Sequence, residues 1–212
     1  MDENLLRFEK NKLIVFWDFE TFNLCLNFCH NLPWQVGMLK VKGNEIIDSA
    51  DMMVKWNTHL KISQGAAIIT KYSQFEMDRR GVPPEKVYPK MRDWLDEADY
   101  IIGHNILGFD INLVYQWYYL NGHDPRHLLY KMIDTNLLAK GVALGIPYRR
   151  PMDLLEYQYK LYHKKAKGIK TNLTALGREY GIEYDYDNLH NSIIDLGLNL
   201  KVWNKLKFQV EI

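Results

Sequence analysis

Residues 13–21 read Leu13-Ile14-Val15-Phe16-Trp17-Asp18-Phe19-Glu20-Thr21, and this stretch decides the fold. Its first five residues are aliphatic or aromatic, the composition of a buried central strand, and the run then ends in charge. Side chains alternate along a strand, so Asp18 and Glu20 share one face at its end. Two like charges beside so apolar a strand raise each other's pKa and lose hydration unless a cation compensates them. A D-x-E pair is short and common, so two readings stand at this point. Either the strand ends in water with both carboxylates solvated, or they hold a metal ion.

Outward from this strand, a polar loop runs to about residue 32. Residues 34–41, the turn Lys42-Gly43-Asn44 and residues 45–54 then read as strand, hairpin and strand, so the chain opens as an antiparallel meander. After Pro83-Pro84, residues 85–98 carry Val87, Met91, Trp94, Leu95 and Ala98 at helical spacing. Tyr100-Ile101-Ile102-Gly103 is a short apolar strand, and Phe109, Leu113, Trp117 and Leu120 mark a helix that stops at Asn121-Gly122. Met132-Ile133-Asp134-Thr135 predicts a further strand, Leu137-Leu138-Ala139 the start of a helix, and residues 152–162, 173–180 and 190–206 three more helices. The order β-β-β-α-β-α-β-α-α-α predicts an α/β sandwich with a mixed sheet.

The 212 residues read as one domain, 1–212, long enough for a sizeable core. With 47% hydrophobic and 25% charged residues, the chain has an ordinary globular balance that disfavours disorder and low-complexity tails. Lys and Arg number 27 against 26 Asp and Glu, a net charge of +1, so nucleic acid is not bound by bulk charge and any such contact is local. Met1-Asp2-Glu3-Asn4 lacks the features of a secretory signal, and no apolar run reaches membrane-spanning length; a cytoplasmic protein without a membrane partner is the expectation. Cys25 and Cys29 sit next to His30, but no second Cys/His pair follows at zinc-finger spacing, so reduced, partly buried thiols are the better reading. Lys160, Lys164, Lys165, Lys167 and Lys170 gather around Gly168, either as a solvated loop or as a guide for phosphates, and Tyr148-Arg149-Arg150 has the same two readings.

Two further carboxylates matter. Asp110 opens the helix after Gly103-His104-Asn105-Ile106-Leu107-Gly108-Phe109; the macrodipole alone would favour it there, but ligand sites in α/β sheets gather at such strand-to-helix loops. Asp195 lies beside the apolar positions Ile194, Leu198, Val202 and Leu206 rather than on a polar face. His190 precedes it by five residues, about 140° around a helix, so it belongs at the helix mouth, exposed or swung over a site that Asp195 enters. Asp18, Glu20, Asp110 and Asp195 together supply four hard oxygen donors, the set that Mg²⁺ or Mn²⁺ prefers. Carboxylates holding two such ions serve in-line phosphoryl displacement by water, which is nuclease chemistry.

These residues resemble the three motifs of the DEDDh 3′-to-5′ exonucleases, the ribonuclease-H-like family that includes ribonuclease T, oligoribonuclease and the proofreading epsilon subunit. The motifs are Phe16-Trp17-Asp18-Phe19-Glu20-Thr21, Gly103-His104-Asn105-Ile106-Leu107-Gly108-Phe109-Asp110 and His190-Asn191-Ser192-Ile193-Ile194-Asp195. Ile133-Asp134-Thr135 with Leu137-Leu138-Ala139-Lys140, and Leu173-Thr174-Ala175-Leu176, agree as well. The resemblance implies a mixed five-stranded sheet flanked by helices and a 3′-to-5′ exonuclease that releases nucleoside 5′-monophosphates from single-stranded ends. It implies two Mg²⁺ ions on Asp18, Glu20, Asp110 and Asp195, with Mn²⁺ as a substitute, and His190 as general base. Thr21 and Leu24 would line the site of the terminal nucleotide, Phe109 would lie against its sugar or base, and His104 and Asn105 would hold the second-motif loop or the substrate. A segment around residues 68–70 is expected opposite.

Asn105 and Asp110 are five apart, one more than in ribonuclease T-like members and closer to the animal three-prime repair exonucleases and family-B proofreading domains, which leans toward DNA and toward repair or proofreading. The alternatives are an RNA-trimming exoribonuclease of the same fold, an inactive module that binds nucleic acid or a polymerase, and a metal-dependent phosphatase. The expected partner is a single-stranded DNA or RNA 3′ end; a polymerase or a second copy of the chain stays open, as relatives use both.

Overall fold

The computed structural model describes residues 6–8, 10–189 and 192–212. The strands are β1 (Leu13–Thr21), β2 (Pro33–Lys42), β3 (Glu45–Met53), β4 (Tyr100–Gly103) and β5 (Met132–Asp134). They form one mixed five-stranded sheet in the order β3-β2-β1-β4-β5. The first three strands pair antiparallel, and β1 with β4 and β4 with β5 pair parallel. Helices flank the sheet as the sequence predicts, so the fold is the α/β, ribonuclease-H-like one.

β1 is central, bonded on both edges, which is why its apolar run needs no polar alternation: Val15, Phe16 and Trp17 are fully buried. The strand extends through Thr21, so Asp18 and Glu20 are strand residues on the face of Ile14 and Phe16. Opposite Asp18 in the register stands Gly37 of β2. A Cβ there would lie 2.5 Å from the hydroxyl of Ser192, at the start of α9 (Ser192–Val210). The missing side chain is what lets α9 come down onto this face of the sheet.

The stretch between β3 and residue 84 had no predicted element and holds two short helices, α1 (Gln64–Thr70) and α2 (Gln74–Arg80). Then follow α3 (Pro84–Glu97), α4 (Asp110–Leu120), α5 (Arg126–Leu129), α6 (Thr135–Ala143), α7 (Leu154–Tyr162) and α8 (Leu173–Glu179). Thr135, read as the end of a strand, is the first residue of α6, because the Asp134 side chain caps that helix by accepting from the amides of Asn136 and Leu137. α9 buries residues on more than one side, Leu196, Leu198, Leu200, Val202, Trp203 and Leu206 among them. It packs against the sheet, α6 and α8 at once, a wider contact than the single stripe the spacing predicts. Among the described residues no helix is long and apolar enough to cross a membrane.

Candidate active site

β1 supplies Asp18 and Glu20, and α9 brings Asp195 against them. One carboxylate oxygen from each lies within 4.8 Å of the others. Asp110 is buried at the first position of α4, and its Oδ1 accepts a hydrogen bond at 3.3 Å from the backbone N–H of Phe19, the residue between the two β1 acids. The loop before α4 is tight: Asn105 adopts a left-handed φ of 68°, and its carbonyl accepts from the amides of Gly108 at 3.1 Å and Phe109 at 3.0 Å. The four predicted acids thus converge from three elements.

Their electrostatics is unfavourable without a cation. Burial pushes the Asp18 carboxyl well above the usual range, and Asp110, Glu20 and Asp195 push it further. Glu20 is raised to about 8, by burial first and then by Asp195 and Asp110. Asp110 is also raised to about 8 by burial, against the amides of Asp110 and Phe19 that hold it down. Among the described residues no basic side chain contributes to any of these three shifts. Such a set of hard oxygens fits a divalent ion such as Mg²⁺ or Mn²⁺ and offers nothing to a soft metal. Cys25 and Cys29 are free thiols but stand exposed rather than partly buried, because they sit in the polar loop after β1 and not on an element that packs against the core.

The remaining predicted residues fall in two groups. Leu24 stands 86% exposed in the loop after β1, and Phe109 is half-buried at the mouth of α4. The Thr21 hydroxyl donates to the Asn23 carbonyl at 2.7 Å. The loop bearing Leu24 is held by the fully buried Asn31, whose amide group bonds Asn23 and Cys25. In α1, Ile68 and Ile69 are exposed, and the turn after it is tied to this loop by Tyr72, whose ring lies 6.2 Å from that of Phe22. His104, in contrast, is engaged inside the protein. Its Nδ1 lies 3.0 Å from the Thr135 hydroxyl, and burial lowers its pKa to about 4 against the pull of the Thr171 carbonyl. His190 lies outside the described residues.

Lys164, Lys165, Lys167 and Lys170 are exposed, and Lys160 pairs with Glu156 at 2.7 Å. Arg150 and Tyr148 line a cavity of about 540 Å³ with Tyr100 and Met132, the first residues of β4 and β5, whereas the acids gather where the parallel strands end. The sequence reading passed over Gln158 and Asn199 and gave Asp134 and Thr135 no role beyond a strand end and a stretch that agrees with the family; all four are buried polar residues. The usable signal was a carboxylate closing the apolar Met132-Ile133 pair directly before a helix.

The exonuclease family model of ribonuclease T type matches residues 15–203, a span that contains all four acids. No curated protein sequence matches the chain. Among solved structures, Escherichia coli exonuclease I in complex with a dT13 oligonucleotide is similar at 18% identity with a TM-score of 0.70, over 94% of this chain and 42% of that one. The same enzyme with a dA16 oligonucleotide matches at 16% identity and 0.70, over 93% and 41%. The zinc-bound form of its single-stranded DNA complex matches at 18% and 0.72, again over 93% and 41%. The chain therefore spans well under half the length of exonuclease I. With the family model covering β1 through most of α9, this chain belongs to the ribonuclease T-type exonuclease family, nucleases that depend on divalent metal.

Proposed function

We propose that the chain is a Mg²⁺-dependent 3′-to-5′ exonuclease, with residues 1–212 acting as one domain, that removes nucleoside 5′-monophosphates from the ends of single-stranded DNA. The observation that carries this reading is the approach of Asp18, Glu20 and Asp195 within 4.8 Å, with Asp110 bonded between the β1 acids. A module that only bound a polyanion would gain nothing from four carboxylates facing it. The oligonucleotide complexes of exonuclease I support single-stranded DNA as the substrate.

In this reading Asp18, Glu20, Asp110 and Asp195 hold two divalent ions, with Mn²⁺ able to replace Mg²⁺. Such ions, when bound, offset phosphate charge, make water a nucleophile and stabilise the departing oxygen. His190 accepts the proton from the attacking water. A new oxygen–phosphorus bond forms as the bond from phosphorus to the 3′ oxygen of the next nucleotide breaks; that oxygen takes a proton, and the terminal nucleotide leaves as a 5′-monophosphate. Leu24, Phe109 and Thr21 line the place of the terminal nucleotide, and Asn105 and His104 hold the loop behind it.

The test is digestion of 5′-labelled single-stranded DNA and RNA of equal sequence, with Mg²⁺ and with excess EDTA, resolved at single-nucleotide steps. A descending ladder only with metal, faster on DNA, is expected. Faster RNA cleavage would reassign the substrate, internal cuts would overturn the exonuclease reading, and no product from either would overturn the activity.

A further inference from the structure

Asp134 and Thr135, neighbours where β5 meets α6, are both 0% exposed and bond in opposite directions. Asp134 Oδ1 caps α6 through the amides of Asn136 at 3.0 Å and Leu137 at 3.3 Å. A cap needs no more than that, and Ser or Thr would supply it. The same carboxylate also accepts the amide of Asn105 at 2.9 Å on Oδ1 and that of Leu107 at 3.1 Å on Oδ2. Both amides belong to the loop that delivers Asp110, whose Asn105 carbonyl is already engaged by Gly108 and Phe109. Gln158, fully buried on α7, fixes the other side by accepting from the Asp134 N–H at 2.6 Å.

Thr135 faces the other way. Its hydroxyl lies 2.7 Å from Asn199 Oδ1, 3.1 Å from the Gly103 carbonyl and 3.0 Å from His104 Nδ1. Asn199 stands four residues after Asp195, one turn along the same face of α9. Asn199 is buried with its Nδ2 unpartnered, a cost that an apolar residue of the same size would avoid. Polar groups are thus kept in the core where the helix with Asp195, the strand before the Asp110 loop and α6 meet.

We propose that Asp134 and Thr135 are positioning residues. Asp134 sets the loop that presents Asp110, and Thr135, through Asn199, sets the turn of α9 that presents Asp195. One buried dipeptide thereby fixes two of the three acid-bearing elements before any cation arrives. This inference rests on the acid cluster being the cation site.

The experiment uses the full chain with Asp134→Asn, Thr135→Val and Thr135→Ser, and with Mn²⁺ alone as the probe. Three quantities are read: the Mn²⁺ concentration for half of its thermal stabilisation, amide exchange at Asn105 and Leu107 without metal, and kcat and KM on a single-stranded oligonucleotide. Thr135→Val should raise the half-saturating Mn²⁺ about 10–100-fold with KM nearly unchanged, and Thr135→Ser should restore it. Asp134→Asn keeps one oxygen for the cap and for the Asn105 amide but turns an amino group toward the Leu107 amide, so it should raise the same quantity and speed exchange at Leu107, with Asn105 as the internal control. Half-saturation within about threefold of the unsubstituted chain in both Thr135→Val and Asp134→Asn overturns the inference. Should either fail to fold, Asn199→Leu, which cuts the link from the α9 side, decides by the same criterion. A chain that binds Mn²⁺ but degrades no nucleic acid would sink the nuclease reading alone; one that cleaves while the variants bind Mn²⁺ normally would sink this inference alone.

Discussion

Asp134 and the cluster of buried Glu20 and Asp110 with half-buried Asp18 lie on either side of one loop, close enough that Asp134 adds to the raised pKa of Asp110. The protein treats them in opposite ways. Asp134 accepts four backbone amides, which pull its pKa down against a burial that lifts it to about 6. The cluster acids face one another instead, and the amides that oppose burial there are those of Phe19 and Asp110. A carboxylate surrounded by donors is a strut, complete without a partner. One surrounded by carboxylates is a socket, shaped for a cation.

The sharpest way to break this comparison is to neutralise one acid of each kind. Asp18→Asn or Asp195→Asn should lower the cleavage rate by more than the roughly 10–100-fold typical of a group that only supports a metal ligand, while leaving the metal-free protein as stable or more so. Comparable kcat, or a lower melting temperature in EDTA, would place these acids with the struts. Asp134→Ala should do the reverse in stability, since each buried amide left without an acceptor costs about 1–3 kcal/mol; denaturant unfolding measures it. Gly37→Ala probes the seat of α9: its new Cβ would meet Ser192 at 2.5 Å, so a cost of about 1–3 kcal/mol and a weakened metal site are expected together. The smallest effect belongs to Leu24, 86% exposed. Leu24→Ala should change stability by no more than about 0.5 kcal/mol and raise KM with kcat nearly intact.

The strut and the socket also differ in how far the sequence reveals them. The apolar run of residues 13–17 marks a central strand because successive side chains can all be apolar only where both faces of the sheet are covered, and the Asp18-x-Glu20 spacing puts both acids on one face. That Asp110 and Asp195 reach the same spot depends on tertiary packing, and the motif resemblance supplied it. Asp134 was legible as a strand end and as part of a stretch that agrees with the family, but not as a strut, because its partners are backbone amides, which every residue has and no sequence pattern displays. The α1–α2 pair went unread because seven-residue helices with exposed outer sides such as Ile68 and Phe75 carry no apolar stripe, although Ser73-Gln74-Phe75-Glu76 has the spacing of a helix cap.

The central claim is that the cluster is built for cations, and unfolding free energy against pH tests it most directly, with EDTA and with Mg²⁺. Glu20 rises from 4.5 to about 8 and Asp110 from 3.8 to about 8 on folding, so the folded chain holds protons that the unfolded chain has released. Their contribution is whole below the unfolded values and is lost as pH climbs to about 8, at about 1.4 kcal/mol per pH unit for each proton. His104, lowered from 6.5 to about 4, works with the opposite sign, but only below about pH 6.5, so the window from there to pH 8 belongs to the acids. In EDTA, stability should fall across that window; with Mg²⁺, which binds the ionised carboxylates, the fall should vanish or reverse. Parallel curves with and without Mg²⁺ would contradict the claim.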